Sequence, residues 1–296
     1  MFSMVKESGQ TAHSRVCKLK TKELNQEFLS RYIPKRASDS YKGDYGRVLC
    51  IGGSVEMTGA ITLAGKAALY SGAGLITVAT HPKNFNVVHC ASLEIMCIDY
   101  TDFETLKDNI KQSDTILVGP GMGRSDFSKA LFEMVIQNIT DEQYFIIDAD
   151  GLYHLSQMNL EKIILPKQTI LTPHLGEWER LTGLSPNDLS DKQNITWQQQ
   201  FNATVVLKSH QTQVFTAEVI YQNTAGNPGM AVGGMGDTLA GIIAGCVKQF
   251  GNHTKSVASA VYLHSYVGDL LYENQYVVLP SQIIEHIPEV MKMFDT

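Results

Sequence analysis

The strongest constraint on the fold is an alternation. Short apolar runs recur along the chain, and most end in glycine or small polar residues: RVLCIGGS (47–54), LITVAT (75–80), EIMCID (94–99), TILVGPG (115–121), YFIIDAD (144–150), TILTPH (169–174) and ATVVLKS (203–209). Each has the length of a strand and is apolar enough to be buried on both faces. Helix-periodic stretches separate or follow them at about 58–71, 127–139, 176–183, 238–249, 253–273 and 280–293. TQVFTAEVIYQN (212–223) reads as a hairpin. Strands alternating with helices predict an α/β fold whose mostly parallel sheet is covered on both faces. KELNQEFLSRYI (22–33) predicts a further helix with Leu24, Phe28, Leu29 and Tyr32 on one face. Residues 1–21 are expected to be a loose leader and 22–296 a single domain, since no linker, repeat or low-complexity tract interrupts them.

Composition narrows the function. The net charge of −6 provides no basic excess to neutralise a phosphate backbone, which argues against nucleic acid as a partner. The 5 cysteines, Cys17, Cys50, Cys90, Cys97 and Cys246, form no CxxC pair and read as thiols of a reducing cytoplasm. The 9 histidines form no HxH or HExxH pair, which argues against a dedicated zinc site. Residues 1–20 lack the apolar core of a signal peptide. The longest apolar stretch, 60–80, carries Lys66 and is broken by SGAG at 71–74, so it predicts a helix followed by a strand rather than a membrane span.

Ligands of open α/β sheets collect at the carboxyl ends of the strands. Here those ends carry GGS (52–54), GPGMG (119–123), DAD (148–150), TPH (172–174) and KSHQT (208–212). GPGMG follows a late strand and lacks the third glycine of a dinucleotide fingerprint, so it reads equally as a tight turn. The segment NPGMAVGGMGDTLAGIIAG (227–245) is more specific. Leu239, Ile242, Ile243 and Cys246 set a helix beginning near 237 or 238, preceded by Gly233, Gly234 and Gly236. Glycine amides and a helix N-terminus together make a phosphate cradle. Asp237 stands at its rim, either as the helix N-cap or as the acceptor of a hydroxyl proton during phosphoryl transfer. The helix end is expected to favour its ionised form. Lys208 is either an exposed strand end or the border of a nucleotide site, and His174 either structural or functional. Glu177 lies in a first helical turn, where a carboxylate is favoured anyway.

The order of these pieces resembles the ADP/ATP-dependent NAD(P)H-hydrate dehydratases of the ribokinase-like superfamily. The similarity spans about 28–290 and includes KGDYGRVLCIGGS (42–54), GAITLAGKAALYSGAGLITVAT (59–80), VGPGMGRS (118–125), IIDADGL (146–152), LTPHLGEWERL (171–181), LKSHQT (207–212) and GNPGMAVGGMGDTLAGIIAG (226–245). The resemblance implies a ribokinase-like three-layer α/β/α sandwich. It implies a repair lyase that phosphorylates the C6 hydroxyl of (6S)-hydrated NADH or NADPH from a nucleoside phosphate and then expels phosphate. The short form, without room for an epimerase domain, implies ADP as donor with AMP and phosphate as products. Carried over by position, Asp237 takes the hydroxyl proton. Ala60, Gly123, His174 and Asp237 contact the hydrated substrate. Lys208, Ser209, His210, Gln211, Thr212 and Gly236 hold the nucleotide. Magnesium is implied with ligands left open, as is a homotetramer or other homo-oligomer. Ser209 stands where the family commonly has glycine, Met235 where threonine, Leu175 where proline and Met57 where tyrosine. If position 209 requires a positive φ, serine is strained there. Two other readings share the glycine loop: a vitamin-precursor kinase of the same superfamily, and a non-catalytic nucleotide-binding protein in which Asp237 only caps its helix.

Overall fold

The computed structural model describes residues 19–160, 163–187, 189–251 and 253–295. Its strands are β1 (Lys20–Leu24), β2 (Arg47–Ile51), β3 (Leu75–Thr80), β4 (Met96–Asp99), β5 (Thr115–Val118), β6 (Tyr144–Ile147), β7 (Thr169–Leu171), β8 (Thr204–Leu207), β9 (Gln213–Phe215) and β10 (Val219–Asn223). They form a 10-stranded sheet in the order β1-β10-β9-β8-β7-β6-β5-β2-β3-β4. Neighbours pair in parallel except at β9, which runs antiparallel to both β8 and β10. β5, β6, β7 and β8 contain Val, Ile, Leu, Phe, Tyr and Thr and are buried almost throughout, as a sheet covered on both faces requires.

One face is covered by α1 (Gln26–Tyr32), α2 (Thr58–Tyr70), α3 (Phe85–Ala91), α9 (Met235–Gln249), α10 (His253–Tyr272) and α11 (Pro280–Phe294). Their buried residues, among them Leu29, Ile61, Val88, Ile243, Val257 and Ile283, share one apolar core. The other face is covered by α4 (Phe103–Gln112), α5 (Asp126–Asn138), α6 (Asp150–Ser156), α7 (Leu175–Thr182) and α8 (Asp191–Phe201), with Leu106, Phe132, Leu152, Trp178 and Ile195 in a second core. Two helical layers around one sheet confirm the expected three-layer sandwich.

The expected helix over 22–33 is corrected. Residues 20–24 are the edge strand β1, paired in parallel with β10, and the helix begins only at Gln26. The Asn25 side chain accepts the Phe28 amide at 2.9 Å and so ends the helix upstream. Lys20, Thr21, Lys22 and Glu23 are exposed, while Leu24 is buried. Charged residues are common on edge strands. The leader expected over 1–21 lies outside the described residues up to 18, and its last two residues belong to β1. Residues 60–80 resolve into α2, a turn and β3, and among the described residues no helix is long and apolar enough to cross a membrane. Cys50 and Cys246 are buried and Cys90 is exposed, all unpaired; Cys17 lies outside the described residues.

Candidate active site

The chain winds outward through β2, β3 and β4, then crosses back to place β5 on the other side of β2. The crevice outside such a switch point is where open α/β sheets bind ligands. Two glycine turns meet there. The Gly53 amide donates to the Pro120 carbonyl at 2.9 Å, and the Ser54 amide to Gly121 at 2.6 Å. Gly121 has φ +59°, and a Cβ on it would lie 2.5 Å from the Met57 carbonyl oxygen and 3.1 Å from Ala60 Cβ. Glycine therefore lets the first turn of α2, with half-buried Ala60, close on the loop after β5. Gly123 donates its amide to Asp150 Oδ2 and places its carbonyl oxygen against His154 Nε2, both at 2.9 Å. The amide is thus used within the protein, and the carbonyl oxygen keeps one lone pair beyond its contact with His154.

Across the crevice, β6, β7 and β8 deliver a polar centre. Asp148, at the end of β6, is 1 % exposed. Its Oδ1 accepts from Thr172 Oγ1 at 2.7 Å and from Lys208 Nζ at 2.8 Å. The next residue, Ala149, has φ +49° and ψ −120°, which a non-glycine residue adopts at a cost of about 1–3 kcal/mol. This kink starts α6 with Asp150 directly behind the buried Asp148. His174 caps α7, accepting the Gly176 and Glu177 amides at Nδ1, while Glu177 Oε2 accepts the His174 amide at 2.8 Å. The same Oε2 lies 4.0 Å from Lys208 Nζ. Burial pushes the Glu177 carboxyl up, with Lys208 pulling against it, to about 6. Burial alone would lower Lys208, but Asp148, Glu177 and Asp237 together raise it, so it remains an ammonium.

The glycine loop closes the crevice. Gly234 caps α9 in the left-handed region, φ +94°, where a Cβ would lie 2.6 Å from Leu63 Cδ1. Gly233 faces open space, and a Cβ on Gly236 would lie 3.2 Å from Lys208 Nζ. The helix begins at Met235, about half a turn earlier than expected, and Met235, four residues before Leu239, packs against the same core, so the apolar spacing reaches back across Gly236. Asp237 is therefore the third residue of α9 and not its cap. The expected pull of the helix end toward the ionised form is outweighed. Burial first, then Asp148, push its carboxyl up to about 6 against the pull of Lys208. A helix end contributes only about 0.3–1 kcal/mol, less than this desolvation.

The structure brings Lys208, Gly236, Asp237 and His174 together, with Ala60 and Gly123 on the opposite wall. His174 and Lys208 form an isolated parallel bridge, and the Lys208 amide donates to Pro173 at 2.8 Å. Ser209 and Thr212 form the base of the β8–β9 turn, while His210 and Gln211 are exposed at its tip. Ser209 has no positive φ, so serine carries no strain there. The pairing of Asp148 with Thr172 and Lys208, and the closeness of Glu177 to Lys208, escaped the reading of the residues. Their only signal was position: DAD and TPH at strand ends, and Glu three residues after His. Among the described residues no three His, Cys, Asp or Glu side chains gather to hold a metal ion.

A family model described as NAD(P)H-hydrate dehydratase matches residues 48–289. The chain belongs to that family. It is 44% identical over 265 residues to the ADP-dependent (S)-NAD(P)H-hydrate dehydratase of Staphylococcus aureus, covering 89% of this chain and 95% of the relative. A ribokinase-like superfamily protein from Enterococcus faecalis superposes with a TM-score of 0.90 at 41% identity, over 93% of this chain and 96% of that one. An ADP/ATP-dependent NAD(P)H-hydrate dehydratase from Bacillus subtilis, co-crystallised with ATP and Mg2+, superposes with a TM-score of 0.80 at 29% identity, over 91% and 97%. These matches bear out the ribokinase-like fold and the dehydratase family expected from the sequence.

Proposed function

We propose that this member of the family is an ADP-dependent (S)-NAD(P)H-hydrate dehydratase that restores NADH and NADPH from their C6-hydrated forms. The observation that carries the reading is Asp237, held in the first turn of α9 beside Lys208, with its carboxyl raised to about 6. At neutral pH such a group is ionised yet more basic than an ordinary aspartate. The substrate C6 hydroxyl gives its proton to Asp237 as its oxygen attacks the terminal phosphoryl of ADP, and AMP leaves. The ring-nitrogen lone pair then expels phosphate from C6, and loss of a C5 proton restores the double bond. Hydroxide is a poor leaving group and phosphate a good one, which is why a kinase fold suits a net dehydration. Amides of Gly233, Gly234 and Gly236 and the α9 N-terminus hold the transferring phosphoryl. Lys208 through Thr212 border the nucleotide, while Ala60, Gly123 and His174 shape the wall for the hydrated ring.

The residues fit magnesium that arrives on the nucleotide's phosphates, not a protein-built cage, since Asp148 and Glu177 already share Lys208. When bound, magnesium offsets phosphate charge. In this reading residues 22–296 act as one catalytic domain of a cytoplasmic homo-oligomer, a homotetramer by resemblance.

Mixing the protein with hydrated NADH, magnesium and ADP is expected to restore dihydronicotinamide absorbance, with slower recovery on ATP. Release of a stable phosphorylated vitamin precursor, with hydrated NADH left intact, would instead identify the related small-molecule kinase. Nucleotide binding without either turnover would leave only the non-catalytic reading.

A further inference from the structure

On the outer edge of the crevice, two guanidinium groups lie over one aromatic ring. Arg124, next to Gly123, places its guanidinium carbon 4.4 Å from the centre of the Tyr153 ring. Arg180, on α7, places its own 5.7 Å from the same centre. Like charges on one ring repel unless an anion joins them. The one carboxylate at hand is Asp150, whose Oδ1 accepts Arg124 Nε at 2.9 Å and whose Oδ2 is taken by the Gly123 amide. Among the described residues, both terminal NH2 groups of Arg124 lack a protein partner, and Arg180 has no carboxylate within ion-pair distance. Arg124 remains 52% exposed although anchored at Nε and stacked. A guanidinium fixed in this way is pre-organised for a bidentate anion.

Position identifies the anion. Arg124 adjoins Gly123, and the charge of Arg180 is felt at both His174 and Glu177. Arg180 lies on α7, the helix that His174 caps, so the stack ties together the two elements that carry the residues assigned to the substrate, Gly123 and His174. It is separate from the donor's phosphate site, which is built by Lys208, Gly236 and the α9 N-terminus. A hydrated dinucleotide carries a pyrophosphate away from its reacting ring, and the hydrated NADPH form carries a further 2′-phosphate. We infer that Arg124 and Arg180, braced on Tyr153, clamp a phosphate group of the dinucleotide substrate and so help to set its affinity independently of ADP.

This inference rests on the dehydratase reading, and its test separates the two. Arg124→Gln, Arg180→Gln and the conservative Arg180→Lys are assayed with hydrated NADH and hydrated NADPH, varying ADP separately. If the clamp holds the pyrophosphate, each Gln variant raises KM about 10-fold for both substrates. If it holds the 2′-phosphate, only the KM for hydrated NADPH rises. Either result supports the clamp when the KM for ADP moves less than about 2-fold and Arg180→Lys recovers part of the loss. Arg180 is exposed, so its variants keep the test open if Arg124→Gln disturbs Asp150. Unchanged KM for both dinucleotides, or a loss confined to ADP, overturns the clamp while wild-type turnover keeps the dehydratase reading intact. Absence of wild-type turnover removes the reading itself.

Discussion

Asp237 is valuable because it is uncomfortable. Burial and Asp148 raise its carboxyl to about 6, so losing the proton costs more than for an ordinary aspartate, while the proposed proton transfer needs the ionised form. Turnover is therefore expected to fall as pH drops through about 6. Glu177→Gln removes the other carboxyl held near 6 and retains that limb; its loss in this variant would move the base to Glu177. Asp237→Asn is expected to keep ADP binding, measured by calorimetry, while kcat falls by roughly 10²–10⁴. Stability should move the other way. A folded carboxyl titrating above its unfolded value loses stability as pH rises from about 4 to 6, and that cost remains above it. Asp237→Asn should therefore be more stable than wild type at neutral pH, by on the order of 2 kcal/mol in denaturant titrations, with the gain vanishing near pH 4. Wild-type stability at neutral pH equal to or above that of the variant would contradict the burial argument. Asp237 was legible because it is a lone acid in a glycine-rich run. Asp148 was not, because what marks it is an ion pair with Lys208, 60 residues away.

At the scale of elements, the site depends on how closely α9 lies against α2. A Cβ on Gly241 would collide with the Ala64 carbonyl oxygen and lie 2.8 Å from Ala67 Cβ, and one on Gly245 would lie 2.5 Å from the Ala68 carbonyl oxygen. The approach is backbone to backbone. It fixes the α9 N-terminus, and hence Asp237, relative to Ala60 at the start of α2. Gly241→Ala is expected to destabilise the fold by about 1–3 kcal/mol despite alanine's better helix propensity, and to lower kcat by moving Asp237. A urea midpoint that rises would show that the interface has slack. Of the helices that the sequence did not mark, α3 and α6 have only 7 residues each, too few for a clear period, whereas α4 does space Phe103, Leu106 and Ile110 on one face but sets them among charged residues, and α8 buries Ile195 and Phe201 in a mostly polar run. The strands were plain because burial on both faces leaves nearly continuous Val, Ile and Leu. β1 was hidden because an edge strand of Lys, Thr and Glu carries no such run.

For the whole molecule, the question is how a chain of net charge −6 admits two anionic nucleotides into one crevice. The carboxylates of Asp148, Asp150, Glu177 and Asp237 interact with Lys208 or with one another across that space. Lys208 is largely neutralised by Asp148 at 2.8 Å, so the protein alone presents a polyphosphate with glycine amides and a helix end but little net positive charge. These dipoles are worth about 1 kcal/mol or so near the surface. Repulsion from several carboxylates in a partly buried site is of the same order or larger. On the proposed reading, ADP is therefore expected to enter favourably only with a divalent cation on its phosphates. Magnesium with ADP is expected to raise Tm by several degrees at saturating ligand, as mass action requires of anything that binds only the folded state. Addition of a chelator should remove most of that rise and abolish turnover, and lowering pH below 6 should restore part of the metal-free binding as Asp237 and Glu177 take up protons. If ADP without metal gave the full rise in Tm at pH 8, the amides and Lys208 would suffice by themselves, and the carboxylates would have to be turned away from the phosphates.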